Sequence, residues 1–262
     1  MPLDWPRLFP PGEYGFHMGL RAGDAREFFA PGEDHTALLA ERAHWLDAAP
    51  DDYAQLLPEG GPLLAEAAAL AAAWGTPNAG DLPALGRTWE PDFVLLSADE
   101  NGAWRVRGGV VCFPSAWALP EKLGRTLAET HAPVPTLNAT LAARIDTALA
   151  RLAPGAAWER ENWGLARDAE RNHHPARPRL RLDETITLEE VWLRVERQCL
   201  LKMPRTGGLL FGIRLIILPL AEVLANAEAR AGLRRALESM PEEVAIYKGL
   251  VRARATVLDW LR

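Results

Sequence analysis

The sequence predicts an α+β fold with an antiparallel sheet and flanking helices, in a single domain spanning residues 1–262. Two stretches, residues 92–113 and 194–220, have apolar runs on either side of a turn sequence, which is the pattern of an antiparallel hairpin. Segments with helical periodicity lie before, between and after these hairpins, without the regular strand–helix alternation of a parallel sheet.

The other elements follow from local composition and periodicity. Residues 1–35 are rich in proline, glycine and aromatic residues, so we expect an irregular N-terminal arm that lies against the fold. Residues 157–167 are predicted to form a strand, and residues 220–262 a C-terminal helical segment. Three further helices are predicted at 36–50, at 62–74 and, with Thr136 as its N-cap, at 136–153.

Composition excludes several classes of protein. A chain of 262 residues with 48% hydrophobic residues can bury a sizeable core. The net charge of −6 argues against a nucleic-acid partner, which would require a basic excess. Cys112 and Cys199 form no disulfide framework, and no apolar run approaches the roughly 20 residues that a bilayer requires. We therefore expect a soluble cytoplasmic protein with no membrane partner.

The common catalytic and nucleotide-binding motifs are missing. The sequence has no GxGxxG after a strand, no P-loop, no HExxH and no GxSxG. This pattern argues against direct binding of NAD or ATP by those routes, against a zinc site of that type and against a serine nucleophile. The histidines and an unusual set of arginines remain as candidates.

Three histidine positions are relevant to function. His131 lies in HAPVP, where prolines stiffen the backbone, so it is either a packed histidine or a fixed ligand for haem iron. His17 is surrounded by apolar residues in the arm, and we interpret it as a packed histidine. His173 and His174 are predicted to lie in a solvated basic loop at 167–181, and a docking patch for an acidic partner is the alternative.

The second hairpin carries ions among residues that are expected to be buried. Arg197 and Arg214 cannot be buried without a partner, because an unpaired guanidinium is costly to desolvate. Two explanations remain open on the residues alone. One is an internal salt bridge, in which Glu196 serves a neighbouring arginine. The other is a pocket in which the arginines hold an anion.

Several motifs occur together in the order typical of one family. They are HMGL at 17–20, EPDFVLL at 90–96, CFPSAW at 112–117, EKLGRTL at 121–127, HAPVP at 131–135, ENW at 161–163, RVERQCLLKMPRTGGLLFGIR at 194–214 and YKGL at 247–250. In these motifs the chain resembles the haem-dependent oxidative N-demethylase family, over roughly residues 10–255. Each motif is short, but the ordered combination is specific.

The resemblance implies a function, a cofactor and partners. Members of this family are haem b proteins that use O2 to demethylate small secondary amines such as dimethylamine, with release of formaldehyde. Their sheet is PAS-like, and their electrons come from NADPH through separate flavin and iron–sulfur subunits. A separate reductase is consistent with the missing nucleotide motif in this chain.

The resemblance also implies site residues. His131 becomes the candidate axial ligand of the haem iron, with His17 as the reserve. Lys122, Arg197 and Arg214 become candidates for binding the haem propionates.

The sequence departs from the family pattern in the second strand of the hairpin at 194–220. Gly212, Leu215 and Ile216 stand where relatives usually carry hydroxyl side chains. If those hydroxyls line the pocket, a non-catalytic haem sensor or carrier of the same fold becomes an alternative function. The third hypothesis is a domain that retains the fold but no longer binds the cofactor.

Overall fold

A computed structural model describes residues 3–76 and 80–262. This part of the chain contains a seven-stranded sheet in which every neighbouring pair is antiparallel. The strands are β1 (Arg21–Gly23), β2 (Ala54–Leu56), β3 (Asp92–Ala98), β4 (Trp104–Val110), β5 (Ala157–Ala166), β6 (Trp192–Lys202) and β7 (Leu209–Pro219). Their order across the sheet is β1-β5-β6-β7-β3-β4-β2. The predicted α+β class, antiparallel sheet and single domain are confirmed.

Helices lie on both faces of this sheet. They are α1 (Trp5–Leu8), α2 (Ala25–Phe29), α3 (His35–Ala48), α4 (Pro50–Tyr53), α5 (Gly61–Ala73), α6 (Leu82–Thr88), α7 (Leu127–His131), α8 (Leu137–Arg151), α9 (Leu220–Ala225), α10 (Ala227–Ser239), α11 (Glu242–Tyr247) and α12 (Arg254–Trp260). Two short 3₁₀ turns occupy Pro58–Gly60 and Leu188–Glu190.

Both predicted hairpins are present. β3 and β4 form the first, and β6 and β7 form the second, with the turn at residues 203–208. Gly207 has a φ of +68°, a conformation that glycine adopts without steric cost. Arg197 lies directly opposite Arg214 in the second hairpin.

Two local predictions are wrong. The arm at 1–35 is not wholly irregular, because Asp4 and Asp24 accept hydrogen bonds from backbone amides and so cap α1 and α2. Thr136 makes no capping hydrogen bond and has a left-handed φ of +58°. The reciprocal capping pair lies earlier, between Thr126 and Glu129 at the start of α7.

One face of the sheet, here called the packed face, bears two hydrophobic cores. At one end, Cys199 and Leu201 of β6 pack with α2 to α6. At the other end, Val195 and Leu193 of β6 pack with α1 and the C-terminal helices α9 to α12. Arg197 lies between the two cores, so charged side chains separate the cores at the middle of the packed face.

The opposite face is covered over only part of its area. Val94 and Leu96 of β3 and Val106 of β4 pack under α8 in a third core. On β5 and β6 this face carries polar residues, and we call it the open face. Within residues 3–76 and 80–262, no helix combines the length and apolar character needed to cross a membrane.

Candidate functional site

Four polar side chains meet on the open face at the centre of β5 and β6. Arg160 lies opposite Gln198, and Asn162 lies opposite Glu196. Side chains alternate between the faces of a strand, so these four project away from both cores of the packed face. The amides of Gln198 and Asn162 donate to the Glu196 carboxylate at 3.0 and 3.5 Å. This arrangement leaves Arg160 without a role in the network.

Arg160 is the most unusual member of the group. Its Nε is shielded from solvent and has no hydrogen-bond partner. Burial lowers the pKa of its guanidinium, and the negative charges of Glu196 and Glu161 oppose that effect from a distance. No carboxylate in the described part of the chain forms an ion pair with it. Residues 1, 2 and 77–79 contain no acidic residue that could do so.

A cleft separates Arg160 from the N-terminal arm. Arm residues 8–10 and 12–17 form one wall, and Arg160 and Asn162 belong to the other. The cleft is narrow, with a volume of about 50 Å³, which is below the roughly 300–1,000 Å³ of ligand pockets. Tyr14 and His17 therefore face the same space as Arg160.

Ion pairs hold the arm in this position. Arg7 pairs with Glu161 at 3.2 Å, and Arg21 pairs with both Glu159 and Glu161 at 2.9 and 2.8 Å. Arg7 also donates to the carbonyl of Gly19 at 2.8 Å. Because these pairs connect the arm to β5, they fix the wall that carries Tyr14 and His17.

His131 and Lys122 lie on the open-face side of the sheet. His131 ends α7, and Lys122 donates from Nζ to the carbonyl of Thr130 at 3.4 Å, which places it next to His131. Burial lowers the pKa of His131, and the positive charges of Arg160 and Lys122 lower it further. The imidazole is therefore neutral near pH 7, which is the form that ligates a metal.

The C-terminal segment contributes further polar groups near Glu196. Lys248 donates from Nζ to the carbonyl of Trp163 at 2.6 Å. Burial lowers the pKa of Lys248 to about 8, with the Glu196 carboxylate opposing the shift and Arg160 adding to it. Burial raises the pKa of Tyr14 to about 12, and Tyr247 contributes to the rise. Together with His17 and His131, these groups surround Arg160.

Arg197 and Arg214 occupy the packed face. Arg197 pairs with Glu159 at 3.3 Å, whereas Arg214 pairs with Glu90 and donates to the carbonyls of Phe28 and Ala30. The four residues predicted to contact one cofactor are thus divided between two faces, and they do not line one pocket. Glu196 serves neither arginine, because it lies on the open face.

The three departures from the family pattern lie in or beside the hydrophobic cores. Gly212 lies on the packed face, where a Cβ would come within 2.7 Å of both Phe28 and Phe29. Ile216 lies opposite Val195 and packs against the second core. Leu215 lies opposite Glu196 and packs against the first core.

The loop at 167–181 differs from its prediction. His173 and His174 are buried, with 5% and 7% of their surface exposed, rather than solvated. His173 contacts Asp168 at 2.8 Å through Nε2 and bonds through its backbone to Pro114 and Ala116. Three loop arginines have acidic partners: Arg167 with Asp183, Arg171 with Glu41 and Arg177 with Glu170. Much of the loop's positive charge is therefore neutralised.

Comparison with protein families gives this arrangement a context. Residues 64–258 match the family described as haem-dependent oxidative N-demethylase, alpha subunit-like. The chain belongs to this family. The match spans β3 to β7 and most of the C-terminal helices, so it includes Lys122, His131 and Arg160. The family description implies a haem cofactor and, through the term alpha subunit, a partner subunit.

The open face of this N-demethylase family member suits a haem. In the described part of the chain, no three His, Cys, Asp or Glu side chains are grouped to hold a bare metal ion. A haem iron needs no such group, because the porphyrin supplies the in-plane ligands and one histidine suffices on the protein side. His131 makes no side-chain hydrogen bond to any described residue, Lys122 and Arg160 suit carboxylates, and Phe211 adds half-buried apolar surface.

Sequence reasoning missed Arg160, Tyr14, Tyr247 and Lys248. The alternation of charge in Glu159, Arg160 and Glu161 was the available signal for Arg160. In a strand, the two glutamates share a face that the arginine does not, so they cannot both flank it as partners. Tyr247 and Lys248 are part of a family motif, but the sequence does not reveal that they approach Glu196.

Proposed function

We propose that this protein is the haem b-binding catalytic subunit of an oxidative N-demethylase. It acts on a small methylated amine such as dimethylamine and releases formaldehyde. The observation that carries the proposal is the family match over residues 64–258. The unpartnered polar groups on the open face within that region support it.

The reaction balances with an external source of electrons. One N-methyl group, one O2, two electrons and two protons yield the demethylated amine, formaldehyde and water. We infer that the electrons come from NADPH through a separate flavin and iron–sulfur reductase subunit. The absence of GxGxxG and P-loop motifs in this chain is consistent with that division of labour.

When bound, haem would supply the oxidative chemistry. We assign His131 to the haem iron, because the imidazole is neutral near pH 7 and its ring makes no hydrogen bond to a described residue. Lys122 is assigned to a haem propionate, because its ammonium group lies beside His131 on the same side of the sheet. His17 remains the reserve ligand from the opposite wall of the cleft.

The remaining open-face residues suit the substrate. An alkylamine is a cation near pH 7, as the lysine side chain is. The Glu196 carboxylate is oriented by the amides of Gln198 and Asn162 and forms no ion pair with a described residue, so we assign it the attraction of the ammonium group. Lys248, whose pKa lies at about 8, is the group suited to hold and release a proton near neutral pH.

A non-catalytic sensor or carrier is favoured only if hydroxyl groups are lost from the pocket. Gly212 and Ile216 lie on the packed face, and Leu215 packs against the first hydrophobic core, so all three positions lie in or beside the cores. We therefore keep the enzyme as the proposed function.

The test starts with the visible spectrum. Protein expressed with added haem precursor should show a Soret band, and its absence would refute the proposal. His131→Ala should abolish or shift that band, while His17→Ala, the matched control, should preserve it. If instead only His17→Ala alters the band, the ligand assignment passes to His17.

Catalysis is tested separately from cofactor binding. With a chemical or enzymatic reductant and dimethylamine, the haem-loaded protein should release formaldehyde. A haem-loaded protein that releases none from several methylamines would instead support the sensor or carrier. Glu196→Gln should raise KM more than it lowers kcat if the carboxylate attracts the ammonium group.

A further inference from the structure

Arg160 is half-buried and differs from the buried arginines Arg42 and Arg194 in having no acceptor among the described residues. Arg42 pairs with Asp92 at 2.6 Å, and Arg194 donates to the carbonyls of Glu170 and Arg171. Arg160, although its Nε is fully shielded, has no hydrogen-bond or ion-pair partner among residues 3–76 and 80–262. A shielded guanidinium without a partner costs free energy that a bound ligand can recover.

The neighbouring carboxylates form no ion pair with Arg160. Glu161 is next in sequence, but its side chain lies on the packed face and is engaged by Arg7 and Arg21. Glu196 is on the open face, but the amides of Gln198 and Asn162 orient it. The guanidinium therefore retains donors that point to the open face and the cleft.

The surroundings of Arg160 favour an anion over a cation. Burial lowers the pKa of His17, His131 and Lys248, and the positive charge of Arg160 lowers each pKa further. Lys122 lies beside His131. The carboxylates nearby are Glu196 on the open face and Glu13 and Glu161 at the cleft. Glu161 is already paired with Arg7 and Arg21. A planar guanidinium in such a place suits a carboxylate, which it can bind bidentately.

We propose that Arg160 binds a carboxylate at this site and, resting on the proposed function, that this carboxylate is a haem propionate. Arg197 and Arg214 then contribute to folding and not to cofactor binding, because each already has an acidic partner on the packed face. The proposal gives the cofactor two anchors from different elements, Arg160 on β5 and Lys122 in the loop before α7.

The test compares haem with haem dimethyl ester, in which both propionates have lost their charge. Haem-free protein is titrated with each ligand, and the Soret absorbance gives the two Kd values. A hydrogen bond to a charged group contributes about 1.5–3 kcal/mol, so the wild type should prefer haem by about 10-fold or more. Arg160→Met should lose most of that preference.

Arg197→Met is the matched control, because it removes an arginine from the adjacent strand but from the opposite face. It should keep the wild-type preference for haem over the ester. An Arg160→Met variant that keeps the wild-type preference would overturn the assignment to a propionate. Circular dichroism of the haem-free variants checks that each is folded.

A second measurement distinguishes a propionate from a free carboxylate ligand. Butyrate is titrated calorimetrically into haem-free wild type and Arg160→Met. Butyrate binding to the wild type that is lost in Arg160→Met supports a carboxylate site at Arg160. If the wild type also shows no preference for haem over its ester, the butyrate result assigns the site to a free carboxylate ligand and overturns the assignment to a propionate. No butyrate binding together with no preference for haem overturns the carboxylate site. A missing Soret band, in contrast, refutes the proposed function while the butyrate result still tests Arg160.

Discussion

The two faces of the sheet formed by β5, β6 and β7 differ in whether their charged side chains form ion pairs. On the packed face, Arg197 and Arg214 each bind a carboxylate of the same chain. On the open face, one residue away along neighbouring strands, Arg160 and Glu196 remain without an ion-pair partner among the described residues. The difference teaches that a buried charge is explained by its partner and not by its position in a motif.

The largest expected effect comes from breaking a pair on the packed face. In Arg214→Met, Glu90 would keep only the backbone amide of Gly32 and His35 as partners while remaining buried. Removing one member of a buried pair destabilises a protein by roughly 3 kcal/mol or more. Urea denaturation should show this loss in the free energy of unfolding. A loss below that of Arg160→Met would contradict the distinction between the faces.

Packing on the same face should give the next effect. The Cβ of Gly212→Ala would meet Phe28 and Phe29 at 2.7 Å, and such overpacking costs about 1–3 kcal/mol. Gly164→Ala on β5 is the matched control, because its Cβ meets nothing within 4 Å. We expect the two variants to differ in thermal unfolding but not in haem content. Equal melting temperatures would show that the Phe28 and Phe29 rings yield easily.

Removing the open-face arginine should not lower stability. Arg160→Met breaks no ion pair and removes an unpartnered charge that is partly desolvated, so the free energy of unfolding of haem-free protein should stay the same or rise by about 1 kcal/mol. The measurement is the same urea denaturation as for Arg214→Met. A loss similar to that of Arg214→Met would reveal a partner for Arg160 in solution.

The smallest expected effect is a pH dependence on the open face. The pKa of His131 lies below its ordinary value of 6.5, so the unfolded protein binds more protons as the pH falls below about 6.5. Stability should therefore decrease from pH 7 towards pH 5. Haem-free His131→Gln should show a shallower decrease in melting temperature. Parallel curves for the two proteins would mean that His131 ionises equally in both states.

The hairpins, the long helices and the fold class could be predicted because hydrophobic periodicity is a local signal. The roles of Arg197 and Arg214 could not, because the face on which a side chain lies depends on strand register. Glu90 and Glu159, their partners, come from distant segments of the chain. Local patterns identify a charge that needs a partner, but the partner is set by tertiary contacts.

Loops were the least predictable part of the site. His173 and His174 lie in a strongly basic stretch, which is typical of a solvated surface. Their burial depends on contacts of His173 with Pro114 and Ala116 and of Asn172 with Tyr53. No pattern within residues 167–181 contains that information. Lys248 is similar, since the desolvation of its ammonium group follows from packing against Trp163.

The cleft beside Arg160 has walls of different origin. Arg160 and Asn162 lie within the region that matches the family, which begins at residue 64, whereas Tyr14 and His17 come from the arm before it. One wall thus lies in the matched region, and the other lies in the N-terminal arm, which ion pairs and the β1–β5 pairing hold against the sheet. Substitutions at Tyr14 or His17 would therefore reshape the entrance of the cleft while leaving the matched region unchanged.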